Sequence, residues 1–159
     1  DVVSETEGRA LYWSYFLSGG HIIGFRTTVE SWKGGTRAET IIRNLRKFIE
    51  RTRFERMSPR PDLVEGNALC LADAGREYVV YQPVGGTVRV DLSEIPQGEK
   101  LSVWRYNPRT GEAGCLGEMR AGRLRFKAPG SGEDWALHIT GERKVRSTNN
   151  SPRGEAPFE

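Results

Sequence analysis

Tyr78-Val-Val-Tyr-Gln-Pro-Val-Gly-Gly86 is the first of several short apolar or aromatic runs in the second half of the chain, each closed by Gly, Pro or Asn. The later runs are Val103-Trp-Arg-Tyr-Asn-Pro-Arg-Thr-Gly111, then Pro129-Gly130, and finally Asp134-Trp-Ala-Leu-His-Ile139. Apolar runs of this length, separated by such residues, predict strands joined by tight turns. The second half is therefore expected to be a small antiparallel β domain.

Alternation within these runs predicts which side of each strand is buried. Val88, Val90 and Leu92 alternate with polar residues, as half-buried strands do. We expect six strands, near Ala68–Ala72, Glu77–Gln82, Thr87–Leu92, Leu101–Tyr106, Arg123–Lys127 and Trp135–Thr140. Six short strands with frequent turns favour a sandwich or a small barrel.

The first third of the chain has helical signals instead. Ser4 and Glu7 have the spacing of a capping box, so a helix is predicted to begin at Ser4 and to end at Gly19-Gly20. His21-Ile-Ile-Gly-Phe25 is a short apolar run that predicts a buried strand. Apolar spacing from Ile41 to Ile49 predicts a second helix over about 37–52.

Proline and glycine divide the chain into segments. Two prolines and a glycine between Met57 and Gly66 exclude a continuing helix. We expect a helix-strand-helix segment over 1–58, a linker over 59–66, an antiparallel sandwich over 67–140 and a polar tail over 141–159. The fold class predicted is α+β.

Composition narrows the classes of protein. The net charge is +3, and no apolar run approaches the length that spans a bilayer. Basic residues outnumber acidic ones between Arg37 and Arg60, which suits either a solvated helix face or a surface that meets phosphate. Cys70 and Cys115 allow one disulfide, and their spacing leaves its formation open.

Together these runs resemble the C-terminal region of the apiosidase-like bacterial glycoside hydrolases. The stretch from Ala68 to Ile139 is similar to their accessory β-sandwich, which carries the name "putative collagen-binding domain". The stretch Gly8–Gly20 is similar to the helix before the last strand of their (β/α)8 barrel, and Gly20-His-Ile-Ile-Gly24 matches that strand. The resemblance implies a barrel end fused to a sandwich.

The same resemblance places the catalytic acids of the family on strands that precede Asp1. A chain that starts with Asp rather than Met is compatible with a removed leader or with a piece of a longer protein, and we favour the piece. No pair of carboxylates with the role of acid and nucleophile stands out, so no catalytic residue is assigned. Cys and His do not approach zinc-ligand spacing, and no glycine run has a phosphate-loop context, so neither a metal nor a cofactor is expected.

Six residues are candidates for ligand contact. The resemblance puts Arg26 and Trp32 after the last barrel strand, on the rim of a cleft, although Trp32 could equally pack a loop onto the barrel. His21 is expected to be a structural residue rather than a base. Trp104 and Tyr106 share a strand face, either as an exposed platform or buried against a neighbour, while Arg109 at a turn tip is free to touch a partner. The set is His21, Arg26, Trp32, Trp104, Tyr106 and Arg109.

Three functions remain open at this point. The preferred one is a non-catalytic C-terminal portion of a glycoside hydrolase-like protein, bracing the barrel and contacting polysaccharide. The alternative is a stand-alone β-sandwich module that binds a carbohydrate or a collagen-like peptide. Nucleic-acid binding through the Arg37–Arg60 segment is the least favoured. The resemblance favours a secreted or periplasmic location, with the rest of the barrel or a partner chain as neighbour.

Overall fold

The computed structural model describes residues 4–20 and 37–141, which form three layers. Two helices, α1 (Glu5–Leu17) and α2 (Arg37–Ile49), make the first layer. A six-stranded sheet is the middle layer, and a three-stranded sheet is the last. Within the described residues, neither helix is long and apolar enough to cross a bilayer.

Helix α1 begins as its sequence predicts. The Glu7 amide donates to the Ser4 hydroxyl, and the Ser4 amide donates back to the Glu7 carboxylate at 2.9 Å. Both bonds satisfy amides that a helix start otherwise leaves without partners. Its end is marked by Gly19, whose φ of 79° lies in the left-handed region.

Among residues 4–20 and 37–141, nine strands make two antiparallel sheets. In chain order they are β1 (Ser58–Pro59), β2 (Val64–Glu65), β3 (Leu69–Asp73), β4 (Glu77–Gln82), β5 (Gly85–Asp91), β6 (Lys100–Asn107), β7 (Glu112–Arg120), β8 (Arg123–Ser131) and β9 (Trp135–Gly141). The large sheet has the order β1-β3-β4-β9-β6-β7, and the small one has the order β2-β5-β8.

Two cores hold the layers together. The first lies between the sheets and contains Tyr78, Val80 and Val90, with less than 1% of each exposed. The second lies between the helices and the large sheet, around Trp13 and Tyr81. Strand β4 supplies alternate residues to both cores, so all six of its residues are buried.

The predicted β-sandwich is confirmed, and the structure adds elements to it. Strand β7 was not predicted, and β1 and β2 are too short for a periodic signal. The predicted linker over 59–66 contributes residues to both sheets, since Pro59 pairs with Leu71 and Val64 pairs with Val90. The predicted strand His21–Phe25 and the tail after Gly141 lie outside the described residues, so the barrel-end prediction stays a prediction.

Candidate functional site

A buried carboxylate joins the helix layer to the sandwich. Asp134, just before β9, is 1% exposed, and Arg9 of α1 is 4% exposed. The Arg9 guanidinium donates from Nε to Oδ2 of Asp134 at 3.1 Å and from Nη2 to Oδ1 at 3.1 Å. This two-pronged geometry is the strongest that arginine forms with a carboxylate. It fixes α1 to the sandwich from 125 residues away in the chain.

Two further groups complete the shell of Asp134. Arg109, in the turn after β6, donates to Oδ1 at 3.1 Å and to the backbone carbonyl of Asp134 at 2.9 Å. The Tyr81 hydroxyl donates to Oδ2 at 3.2 Å. Burial raises the pKa of Tyr81, and the negative charge of Asp134 raises it further. The cluster of Arg9, Tyr81, Arg109 and Asp134 is called the buried clamp below.

An aromatic cluster lies beside the buried clamp. The ring of Trp13 stacks on Tyr81 with the centroids 5.1 Å apart, and it also contacts Phe48 and Tyr106. The Tyr106 hydroxyl donates to the carbonyl of Asn44 at 2.7 Å, and burial raises the pKa of Tyr106 to about 12. Aromatic packing of this kind adds to the hydrophobic contribution of the same rings. Helices and sheet therefore share one core.

A small cleft of about 160 Å3 opens at the C-terminal end of α2. Its lining includes Phe48, Arg51, Trp104, Tyr106 and His138. The Arg51 guanidinium lies 5.8 Å from the centre of the Trp104 ring, which is 37% exposed. A partly exposed indole with a guanidinium over its ring forms a cation–π pair in the lining of the cleft.

The structure describes three of the six predicted site residues, and their surroundings differ. Trp104 and Tyr106 do share the helix-facing side of β6, but Tyr106 is 1% exposed, so the two do not form an exposed strip. Arg109 is not free at its turn tip, because it binds Asp134 and Glu133 and stacks on Trp135. His21, Arg26 and Trp32 lie outside the described residues.

Alternation with Trp135, Leu137 and Ile139 predicts that His138 faces solvent, but the structure places it on the helix-covered face. Its Nε2 lies 2.7 Å from Oε1 of Glu77, and the ring edge contacts Phe48. The same Glu77 oxygen accepts from the Arg53 amide at 3.3 Å, which fastens the segment after α2 to β4. Because α2 covers this face, the alternation of residues along β9 does not indicate which face of the strand is exposed to solvent.

The cysteines do not form a disulfide. Cys70 is buried in the core between the sheets, and Cys115 is exposed on β7. Burial raises the pKa of the Cys70 thiol to about 12. In the described part of the chain, no group of three or more His, Cys, Asp or Glu side chains is placed to hold a metal ion.

Sequence reasoning missed the residues that join the layers. Arg9 and Asp134 are separated by most of the chain, and neither stands in a motif. In the sequence, Asp134 is only the polar residue that precedes an aromatic strand. A weak signal for the burial of Arg9 does exist. Arg9 stands near the start of α1, before Leu11-Tyr12, and this helix is apolar on more than one face, so a charged residue within it can be buried.

A helix-covered antiparallel sandwich, whose most buried carboxylate is saturated by donors, has the character of a structural module rather than an active site. Residues 62–140 match the protein family described as "Putative collagen-binding domain of a collagenase". None of the curated proteins matches the chain.

Two solved structures share the fold. A protein described as "Glycoside hydrolase" superposes with a TM-score of 0.70 and 20% identity over 86% of this chain and 37% of its own. A glycoside hydrolase family 5 structure from Bacteroides vulgatus gives 0.69 and 18% over 88% of this chain and 37% of its own. The chain thus spans just over a third of these proteins.

The structural likeness extends beyond the sandwich. Residues 62–159 alone make up less than two thirds of the chain, so a match over 86% includes part of the N-terminal helical segment. The family match covers the sandwich, and the two structures show that the helices and the sandwich together have the fold of part of each solved protein.

Proposed function

We propose that this chain is the C-terminal portion of an apiosidase-like glycoside hydrolase, and that its sandwich braces the barrel without taking part in catalysis. The observation that carries the proposal is the buried clamp. It fixes α1, the helix similar to one of the barrel, rigidly to the sandwich. A binding module attached by a flexible linker needs no such contact.

The two buried carboxylates of the described residues are not available for catalysis. Glycoside hydrolysis requires two acidic groups that flank an accessible sugar. Asp134 is 1% exposed, and Arg9, Arg109 and Tyr81 occupy its oxygens. Glu77 is 8% exposed and is engaged by His138. Neither is free to protonate or to attack a substrate.

A thermal inactivation assay of the longer protein, barrel included, tests the brace. Asp134→Asn is expected to lower the temperature at which glycosidase activity is lost, while kcat/KM at room temperature stays unchanged. Glu50→Gln, which removes an exposed ion pair of α2 with Arg46, serves as the control and should change neither. A fall in kcat/KM without a change in thermal inactivation would contradict the proposal.

The rival function, a carbohydrate-binding module, is supported by one observation. Trp104, although paired with Arg51, is 37% exposed and lines an open cleft. Bracing and binding are compatible, since the buried clamp and the Trp104 cleft use different residues.

A further inference from the structure

The arginines whose side chains the structure describes fall into two groups. In one group the guanidinium forms an ion pair with a carboxylate, and its members are Arg9, Arg46, Arg60, Arg89, Arg109 and Arg123. In the other group the structure shows no carboxylate partner among the described residues. Four of this second group, Arg51, Arg53, Arg56 and Arg76, line a single groove.

This arginine groove has a volume of about 770 Å3. It runs between the segment that follows α2, which carries Arg51, Arg53 and Arg56, and the β3–β4 turn, which carries Arg76. All four arginines are exposed. Its size lies within the range of sites that bind small organic ligands.

The backbone on both sides of the groove is fixed. The Arg53 amide donates to the buried Glu77, and Phe54 packs its ring on Phe16 at 6.0 Å. Across the groove, the Gly75 amide donates to the Tyr78 hydroxyl at 2.8 Å, which holds the turn that carries Arg76. The backbone that carries the arginines is therefore held in place, and a ligand has to order only their side chains.

The charge of the arginine groove is positive. Its acidic lining residues are Asp73, Glu77 and Glu99. Four guanidinium groups outnumber these three carboxylates, and Glu77 is largely withdrawn from solvent by His138 and the Arg53 amide. Unpaired guanidinium groups bind carboxylate, sulfate and phosphate oxygens through charge-assisted hydrogen bonds.

An aromatic surface lies next to this charge. Arg51 lines both the arginine groove and the Trp104 cleft, so the two are neighbours. Part of the Trp104 indole is exposed beside the Arg51 guanidinium, and exposed aromatic surface suits the apolar face of a sugar ring. A ligand that satisfies both surfaces is a chain of sugars that carry negative charge.

We propose that the arginine groove and Trp104 bind an acidic oligosaccharide, in which carboxylate or sulfate groups meet the arginines and a sugar ring stacks on the indole. The proposal rests on the proposed function. The acidic oligosaccharide is the kind of polysaccharide that an accessory domain of a glycoside hydrolase would contact. A single-stranded nucleic acid also combines negative charge with rings that stack on aromatic side chains, and the DNA probe used in the test separates it from an acidic sugar.

Calorimetric titration of the full chain at low salt tests the proposal. The probes are an oligogalacturonate, its methyl ester as the uncharged match, a sulfated galactan oligosaccharide of the same length, and a single-stranded DNA of similar charge. We expect the uronate or the sulfated sugar to bind, and the ester to bind at least tenfold more weakly. The stronger of the two acidic sugars identifies the anionic group.

Matched variants locate the site. Arg53→Gln with Arg56→Gln is expected to weaken binding of the acidic sugar by roughly tenfold or more, because two charge-assisted contacts are lost. Arg120→Gln with Arg125→Gln removes the same charge from exposed arginines outside the groove and should leave binding within about twofold. Trp104→Ala should weaken binding of the acidic sugar several-fold, as the loss of a stacking face does.

Four results would overturn the inference: no binding of either acidic sugar, equal binding of the ester, equal losses in the two arginine double variants, or tighter binding of the DNA than of the sugars. The groove variants do not touch the buried clamp. A failure here together with the expected effect of Asp134→Asn on thermal inactivation would reject the binding site and keep the brace.

Discussion

Nε of Arg9 lies 3.1 Å from Oδ2 of Asp134, with 5% of the arginine side chain and 1% of the aspartate side chain exposed. Burying both charges carries a desolvation cost that only good geometry and further hydrogen bonds offset. Tyr81 and Arg109 supply those bonds. The pair therefore fixes the position of α1 on the sandwich. Disrupting the pair should lower the stability of both the helix and the sandwich.

Asp134→Asn should destabilise the chain by about 3–5 kcal/mol, because it leaves Arg9 and Arg109 without their shared counter-charge in a buried site. Urea unfolding measured by circular dichroism gives the change. Glu50→Gln breaks the exposed Arg46 pair on α2 and should cost no more than about 1 kcal/mol. Equal losses of unfolding free energy in the two variants would show that the buried clamp contributes no more than an exposed ion pair.

Trp13→Ala should lower the free energy of unfolding by about 3–5 kcal/mol, since the indole is fully buried between Tyr81, Phe48 and Tyr106. Leu11→Ala is the matched change on the same helix, where 63% of the side chain is exposed, and should stay within about 0.5 kcal/mol. Thermal or urea unfolding compares the two. A small loss for Trp13→Ala would mean that the helices do not share the sheet's core.

Gly111→Ala tests the contact between the turn after β6 and α2. The added Cβ would lie 2.8 Å from Oδ1 of Asn44, and the φ of 76° disfavours any side chain. Gly98 has a similar φ of 87° but open space around it, so Gly98→Ala should cost only about 1 kcal/mol. We expect Gly111→Ala to cost at least about 1 kcal/mol more. Similar losses in urea unfolding would rule out a steric role for this turn.

Thiol labelling should distinguish the two cysteines. Burial raises the pKa of Cys70 from its ordinary value of 9.0 to about 12, so below pH 9 its thiol is both neutral and inaccessible. Iodoacetamide should label Cys115 in the native protein and both residues after unfolding, as read by mass spectrometry. Native labelling of Cys70 at the rate of Cys115 would contradict the placement of β3.

Alkaline pH should weaken the fold. The folded-state pKa values of Cys70 and Tyr106, both about 12, lie above the ordinary 9.0 and 10.0. Stabilisation from these neutral groups is complete below the unfolded-state pKa and is lost as pH rises toward 12. The free energy of unfolding, measured by urea titration, should therefore fall between about pH 9 and 12. The double variant Cys70→Ala with Tyr106→Phe should show a smaller fall in this range.

Local signals predicted much of the fold. The capping box at Ser4 and the alternation of Val88 and Val90 depend only on neighbours in sequence, and both are confirmed. Strand β7 was missed because it contains Gly114, Gly117 and several charged residues, which give no apolar alternation.

The candidate site was harder to predict than the strands. Whether Tyr106 and His138 face water depends on α2 covering that face of the large sheet, and strand periodicity carries no information on such a cover. The buried clamp depends on pairing across 125 residues, and an isolated Arg or Asp is normally exposed. The sequence indicates that Arg109 lies on a turn, but it does not indicate which residues its side chain contacts.

Native-state hydrogen exchange tests the central claim most directly, that the helix layer and the sandwich are one unit joined by the buried clamp. The amides of α1 from Trp13 to Leu17 and those of β4 from Tyr78 to Tyr81 are expected to open with the same free energy, and Asp134→Asn should lower both by the same amount. Opening of α1 at a free energy several kcal/mol below that of β4, or an effect of Asp134→Asn confined to α1, would contradict it.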